Sequence, residues 1–150
     1  WFALQASESE PFTYGHGDLV YTERLLRDFI EGATGSEIAL SVDFGPTDEE
    51  AMKVAVVDGR FRESNKQIPL DEAVGEWTGL ARFSKCGSEA TKDQIEELLS
   101  QERFQDYDTA AFSLMAERGT DFKLLPTNGE SWCEIDTADD LAVARRLFPQ

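Results

Sequence analysis

Two rhythms of apolar positions alternate along this chain. Phe12, Tyr14 and His16 recur at every second position up to Asp18, a strand period whose last side chain, Asp18, is expected to emerge at the carboxyl end of the strand. Thr22 then offers a helix cap, Leu25, Leu26, Phe29 and Ile30 form an apolar stripe at helical spacing, and Gly32 is a stop. Ile38, Leu40, Val42 and Phe44 return to alternation. The stretch MKVAVVDGRFRE turns at Asp58-Gly59, the dipeptide that best tolerates the positive φ of a tight hairpin. In AVGEWTGLARFS, Trp77, Ala81 and Phe83 keep even spacing, while Gly75 and Gly79 suit a strand approached closely by another backbone or a ligand. Helices are expected around residues 92 to 99 and 109 to 118, strands over DFKLLP and WCEID, and a last helix with Leu141, Ala144 and Phe148 on one face. The alternation predicts an α/β fold, a layered sandwich about a mixed, mostly parallel sheet. No repeat, low-complexity tract or linker divides residues 1–150, so one domain is expected.

Composition narrows the partners. The 150 residues carry 30 acidic against 14 basic side chains, a formal charge of −16. Nucleic-acid binding needs clustered Lys and Arg, so a nucleic-acid surface is excluded and a polyphosphate partner would need a cation. Lysines number five against nine arginines, and acid excess with few lysines is a composition seen in proteins adapted to high salt. No apolar run approaches the roughly 20 residues of a membrane span, and no basic-then-apolar leader opens the chain, so a cytoplasmic protein with no membrane partner is expected. Cys86 and Cys133 are too few for a disulfide framework or zinc cluster and read as reduced thiols.

Candidate chemistry concentrates in GESWCEIDTADDL, which holds five carboxylates. Thr137 sits where a helix cap belongs, Asp140 resembles the reciprocal partner of a capping box, and Asp139 lies in the first turn, where the helix dipole favours negative charge. Glu130, in a Gly-rich turn, is most simply solvated. Trp132, Glu134 and Asp136 share one face of a strand, with neighbours on that face about 6.5 to 7 Å apart at Cα, so the two carboxylates can either converge on a cation of the Mg²⁺ type or end the strand as solvated acids. Asp18 ends another predicted strand just before a helix, and ligands of open α/β sheets bind at the carboxyl ends of strands. Lone His16, on the face of Phe12, Tyr14 and Asp18, reads as a packed or hydrogen-bonded ring rather than a catalytic one.

The succession GDLVY, MKVAVVDGRF with NKQIP, VGEWTGLARFS and WCEIDTADDLAVAR resembles the MobA-like nucleotidyltransferases, of GT-A-like fold. Within these it is most similar to cytidylyltransferases acting on phosphocholine or 2-aminoethylphosphonate, including those fused to phosphoenolpyruvate mutase. The resemblance implies that Asp18 binds Mg²⁺ together with the nucleotide and that Glu134 and Asp136 complete the metal site, with Asp18 and Asp136 central to catalysis. It also places Gly75, Glu76, Trp77 and Gly79 beside the acceptor substrate, with Lys66 approaching a substrate phosphate. Trp132, Trp77 and Tyr107 are aromatic faces that suit a choline-like or aminoalkyl head. The implied reaction is in-line attack of a phosphate or phosphonate oxygen on the α-phosphorus of CTP, with Mg²⁺ neutralising charge as pyrophosphate departs.

The Gly-rich, Arg-containing loop that cradles the triphosphate in the family, and its downstream lysine, have no match here. The opening WFALQA resembles the helix preceding the Gly-Asp strand, so 1–150 is expected to be an incomplete nucleotidyltransferase domain, inactive by itself. The alternatives are a sugar-phosphate nucleotidyltransferase of the same fold and a noncatalytic acidic binding module.

Overall fold

The computed structural model describes residues 10–149; the expected helical opening at WFALQA lies outside them. Strands β1 (Phe12–Gly15) and β2 (Leu19–Tyr21) precede helix α1 (Glu23–Gly32) and strands β3 (Ile38–Phe44), β4 (Lys53–Val57), β5 (Arg60–Asn65) and β6 (Gly75–Phe83). Helices α2 (Lys85–Ser100) and α3 (Thr109–Glu117), strands β7 (Phe122–Pro126) and β8 (Trp132–Glu134) and helix α4 (Ala138–Leu147) follow. The main sheet runs β5-β4-β6-β3-β7, with β1 also paired to β6, and β2 and β8 form a separate ribbon.

Alternation along β3 builds the layers. Ile38, Leu40 and Val42 point to one face, where they meet Phe112 and Met115 of α3 together with Trp77, Ala81 and Phe83 of β6. Ala39 points to the other face, where Leu25, Phe29 and Ala33 pack against it and Leu80. Each Leu, Ile, Val, Phe or Met side chain fully buried in this way contributes about 1.5–3 kcal/mol, and each alanine less. The α/β layered sandwich and its mixed sheet are as expected. The balance of directions is not: among the described residues only β3 and β7 pair in parallel, while β1–β6, β3–β6, β4–β5 and β4–β6 are antiparallel. The physical reason is that β4, β5 and β6 follow one another without the helical crossovers that neighbouring parallel strands need, and the Asp58-Gly59 hairpin reverses β4 directly into β5.

Local signals hold where the chemistry is local. Asp58 and Gly59 have φ of 51° and 76°, the left-handed pair of a primed hairpin turn. Thr22 caps α1 by accepting from the Leu25 amide, and Ile30, expected in the stripe, is exposed. Thr137 and Asp140 form the reciprocal capping box. Helix α2 begins earlier than its apolar spacing predicts, because Ser84 caps it by accepting from the Gly87 amide and Gly87 packs bare against the Glu37 carbonyl, where a Cβ would approach to 2.2 Å.

The expected single strand from Phe12 to Asp18 is broken. Strand β1 ends at Gly15, His16 to Asp18 form a turn, and β2 leaves the main sheet to pair with β8. Gly79 explains the departure: its φ of +76° falls where the register between β6 and β3 shifts, and its missing Cβ makes room for His16 and Leu19, whose atoms would lie 2.9 and 2.8 Å from one. Asp18 therefore sits in a turn between two strands rather than at the carboxyl end of one.

Candidate active site

The β2–β8 ribbon brings the separated acids together. Leu19 pairs with Glu134, and the Ile135 amide donates to the Asp18 carbonyl at 2.9 Å. This register sets Asp18 beside Glu134. Ligand atoms of His16, Asp18 and Glu134 all lie within 4.8 Å of one another. Asp136, expected as the third member, lies outside that group, because β8 stops at Glu134 and the chain turns into the α4 cap.

Beside this cluster lies a small cavity of about 120 Å³. Strand β6 supplies Glu76, Trp77, Thr78 and Gly79; the β8 end supplies Trp132, Glu134 and Asp136; His16 and Leu19 close one side. Lys66, Glu50, Met52 and Tyr107 come from loops and complete the wall. Lys66, Glu76, Trp77, Gly79 and Trp132, singled out from the sequence for substrate binding, are thus all on its walls, whereas Gly75 packs against the Asp43 carbonyl instead and Asp18 is beside Glu134. A hollow of about 610 Å³ elsewhere, between β5, α3 and the loops beside them, shares only Tyr107 with this cavity and holds none of the acids in question.

The lining is acidic and partly aromatic. Lys66 is its only Lys or Arg and lies 3.7 Å from Glu50, while Glu50, Glu76, Glu134 and Asp136 carry the negative charge. Burial, reinforced by the charges of Asp48 and Glu134, pushes the Glu76 carboxyl up to about 7 against a backbone hydrogen bond from Met52 that pulls the other way. Burial and the charges of Asp136 and Asp18 likewise raise Glu134, with His16 and Lys66 opposing. Such upward shifts mean that negative charge here is short of compensation.

Trp77 is 2% exposed; its indole N–H donates to the Leu80 carbonyl at 3.0 Å and its ring meets Phe112 edge-on, so it is a core side chain that shows one side to the cavity. Trp132 is more open and is oriented from behind: its Nε1 donates to Asp43 at 3.0 Å, and the other Asp43 oxygen accepts from Thr127 at 2.8 Å. His16 is held on three sides. Its amide donates to the Gly79 carbonyl, its ring meets Tyr14 and Trp77 edge-on, and its Nε2 lies 3.6 Å from Asp108. That carboxylate, with Asp18 and Glu134 behind it, raises the imidazole against the opposing effect of burial.

Asp43, Glu50 and Asp108 were not visible as site residues in sequence, since each arrives from a distant segment with no spacing to betray it. Glu130 is also not merely solvated: it accepts from Thr22 at 2.8 Å and pairs with Arg24 at 3.4 Å, tying the turn before β8 to the start of α1.

The donor set fits a divalent cation. Asp18 and Glu134 offer the hard oxygens that Mg²⁺ takes, and a cation held by two carboxylates keeps positions open for substrate oxygens.

Solved structures resemble this fold, among them the following three. A Bacillus anthracis protein assigned as a glucose-1-phosphate thymidylyltransferase, solved with sucrose, superposes with a TM-score of 0.76 at 17% identity, over 97% of this chain and 57% of its own. The inositol-1-phosphate CTP transferase of T. maritima gives 0.72 at 22% identity, over 97% and 58%. HddC from Yersinia pseudotuberculosis gives 0.60 at 17%, over 97% and 58%. The chain shares their fold. It spans less than two thirds of the length of each. No protein-family model and no curated protein matches it. None of the described helices is long and apolar enough to cross a membrane.

Proposed function

We propose that this chain forms the acceptor-side portion of a nucleotidyltransferase that passes CMP from CTP to a small phosphate or phosphonate such as phosphocholine or 2-aminoethylphosphonate. The observation that carries the reading is the convergence, at one cavity, of acids from three segments (Glu50, Glu76, and Glu134 with Asp136) with aromatic rings and a single lysine, Asp18 lying beside Glu134. The fold shared with a thymidylyltransferase and a CTP transferase supports it. The Gly-rich, Arg-containing loop that cradles the triphosphate in the family has no match within residues 1–150, and the chain spans less than two thirds of the length of its structural neighbours.

In this reading Asp18 and Glu134 hold Mg²⁺, and Asp136 adds negative charge at the rim. A bound divalent cation would neutralise the triphosphate as pyrophosphate departs. The chain's own residues position the acceptor. Lys66 meets its phosphate; Glu76, Trp132 and exposed Tyr107 receive a cationic head, which aromatic faces and carboxylates both favour. Trp77 and Gly79 give the wall its shape. No side-chain nucleophile is needed, because alignment and charge compensation supply the acceleration.

A sugar or polyol phosphate is the second reading, favoured by the substrates named for the two structural neighbours. The scarcity of hydroxyl and amide groups on the wall favours the cationic acceptor. Pyrophosphate release should be followed with CTP and Mg²⁺ in a protein that includes this segment, offering phosphocholine, 2-aminoethylphosphonate, glucose 1-phosphate and inositol 1-phosphate in turn. Turnover with an aminoalkyl acceptor, lost in Asp18→Asn, supports the proposal. Turnover with a sugar phosphate alone selects the second reading, and no turnover with any acceptor favours a noncatalytic module.

A further inference from the structure

We propose that His16 is a direct ligand of the divalent cation at this site, forming with Asp18 and Glu134 a nitrogen-bearing donor set that takes Mn²⁺ or another transition divalent ion in preference to Mg²⁺. This rests on the metal-site reading above and goes beyond it, since the sequence assigned His16 no such part.

Geometry is the first argument. Donor atoms sharing one cation at about 2.1 Å lie at most about 4.2 Å apart. The three candidate atoms lie within 4.8 Å, so small side-chain rotations close the set. His16 and Asp18 come from one turn, and Glu134 comes from the strand that β2 pairs with, so the backbone register itself holds the three together.

The second argument is the support given to the ring. Asp108 stands 3.6 Å from Nε2, the outer carboxylate that commonly orients a metal-bound imidazole. Tyr14 and Trp77 hold the ring edge-on, and Gly79 leaves room for Nδ1, where a Cβ would approach to 2.9 Å. Besides Asp108, ligand atoms of Asp18 and Glu134 lie within 4.8 Å of the ring's own.

Donor chemistry sets the preference. Mg²⁺ favours oxygen and binds imidazole poorly, whereas one imidazole with two carboxylates is a donor set for transition divalents and leaves positions open for substrate oxygens. The test is unusually clean because the chain contains one histidine. Untagged protein is titrated with Mn²⁺, bound ion is counted by electron paramagnetic resonance, and the electron spin echo is examined for modulation by a directly bound imidazole ¹⁴N. Modulation is expected, with Mg²⁺ displacing Mn²⁺ only at about tenfold or higher excess. His16→Gln should abolish the modulation and weaken Mn²⁺ by about tenfold, bringing the two ions close to parity. Mn²⁺ that is bound without ¹⁴N modulation in the unaltered protein overturns the proposal and needs no variant to do so. If that same Mn²⁺ is released by Asp18→Asn, the carboxylate site survives without His16. If binding is indifferent to both Asp18→Asn and Glu134→Gln, the metal-site reading falls as well.

Discussion

Glu76 shows how a single carboxyl reports on the whole cavity. Its carboxyl titrates at about 7 rather than its ordinary 4.5, chiefly because it is half-buried and then because Asp48 and Glu134 are near. A carboxyl raised by folding binds more protons in the folded than in the unfolded state, so stability falls as pH rises from about 4.5 to about 7 and stays lower above. Glu76→Gln keeps the shape and an oxygen for the Met52 amide but removes the charge. We expect it to melt close to the parent at pH 5 and to be more stable at pH 8 by about 1 kcal/mol, well under the full shift because solvent screens a half-buried group. Melting curves at the two pH values decide this, and a parent-like loss between them in the variant would refute it. Asp140 has the opposite sign. Hydrogen bonds from the Thr137 hydroxyl and backbone hold its carboxyl below the usual range, so its stabilisation is present at neutral pH and disappears as pH falls through that lowered value. Asp140→Asn should therefore lower Tm by a few degrees at pH 7, have little effect near pH 3, and leave Mn²⁺ binding unchanged. Loss of Mn²⁺ binding in Asp140→Asn would mean that EIDTADDL is wrongly divided between ligands and helix cap.

At the scale of elements, Gly79 decides where the site can form. With φ of +76° and no Cβ, it lets the His16–Asp18 turn settle on β6, and through that turn β2 reaches β8. Gly79→Ala should cost about 2 kcal/mol or more, from left-handed strain plus collision with His16 and Leu19. It should also weaken Mn²⁺ binding, because the ring is displaced. Gly17→Ala, next to His16 in sequence but with open space at its Cβ, is the control and should melt like the parent. Equal stability of both variants would remove Gly79 from this role. The same region marks the boundary of what could be read from sequence. The hairpin at Asp58-Gly59, the caps at Thr22 and Thr137 and the core face of β6 carried by Trp77, Ala81 and Phe83 depend on neighbours within a few residues, and all three were legible. The break after Gly15 was not, because Phe12, Tyr14, His16 and Asp18 keep one period straight through it. Strand direction was not either, since nothing within β6 states that β3 will lie antiparallel beside it. Glu134 was found through its spacing and Asp18 through its place before a helix. Asp108 and Asp43 reach the site only through tertiary pairing, and His16 was seen as a packed ring because its carboxylate neighbours are 90 or more positions away or hidden in a turn taken for strand.

The charge of the entire molecule acts on every one of these features. With 30 acids against 14 basic residues, most carboxylates have no cationic partner to meet, and the raised Glu76 and Glu134 are local signs of the same imbalance. Ion pairs such as Arg118 with Glu97 or Arg24 with Glu130 are at the surface and are each worth little, so screening them away removes less than screening the repulsion restores. Raising KCl from 0.1 to 1 M shortens the screening length from about 10 Å to about 3 Å, below the separation of most like charges on a domain this size. Tm should accordingly rise, on the order of 5 °C, across that range. Chloride is the right anion for the measurement, because sulfate would also strengthen apolar burial and confuse the two causes. Glu76→Gln, with one cavity charge already removed, should gain less from salt than the parent. Mn²⁺ at a concentration too low to alter ionic strength should raise Tm through the site alone, and that increment should vanish in Asp18→Asn while the KCl effect persists. A melting temperature that stays level or falls between 0.1 and 1 M KCl would show that the ion pairs outweigh the repulsion, and that the acid excess serves the site rather than burdening the fold.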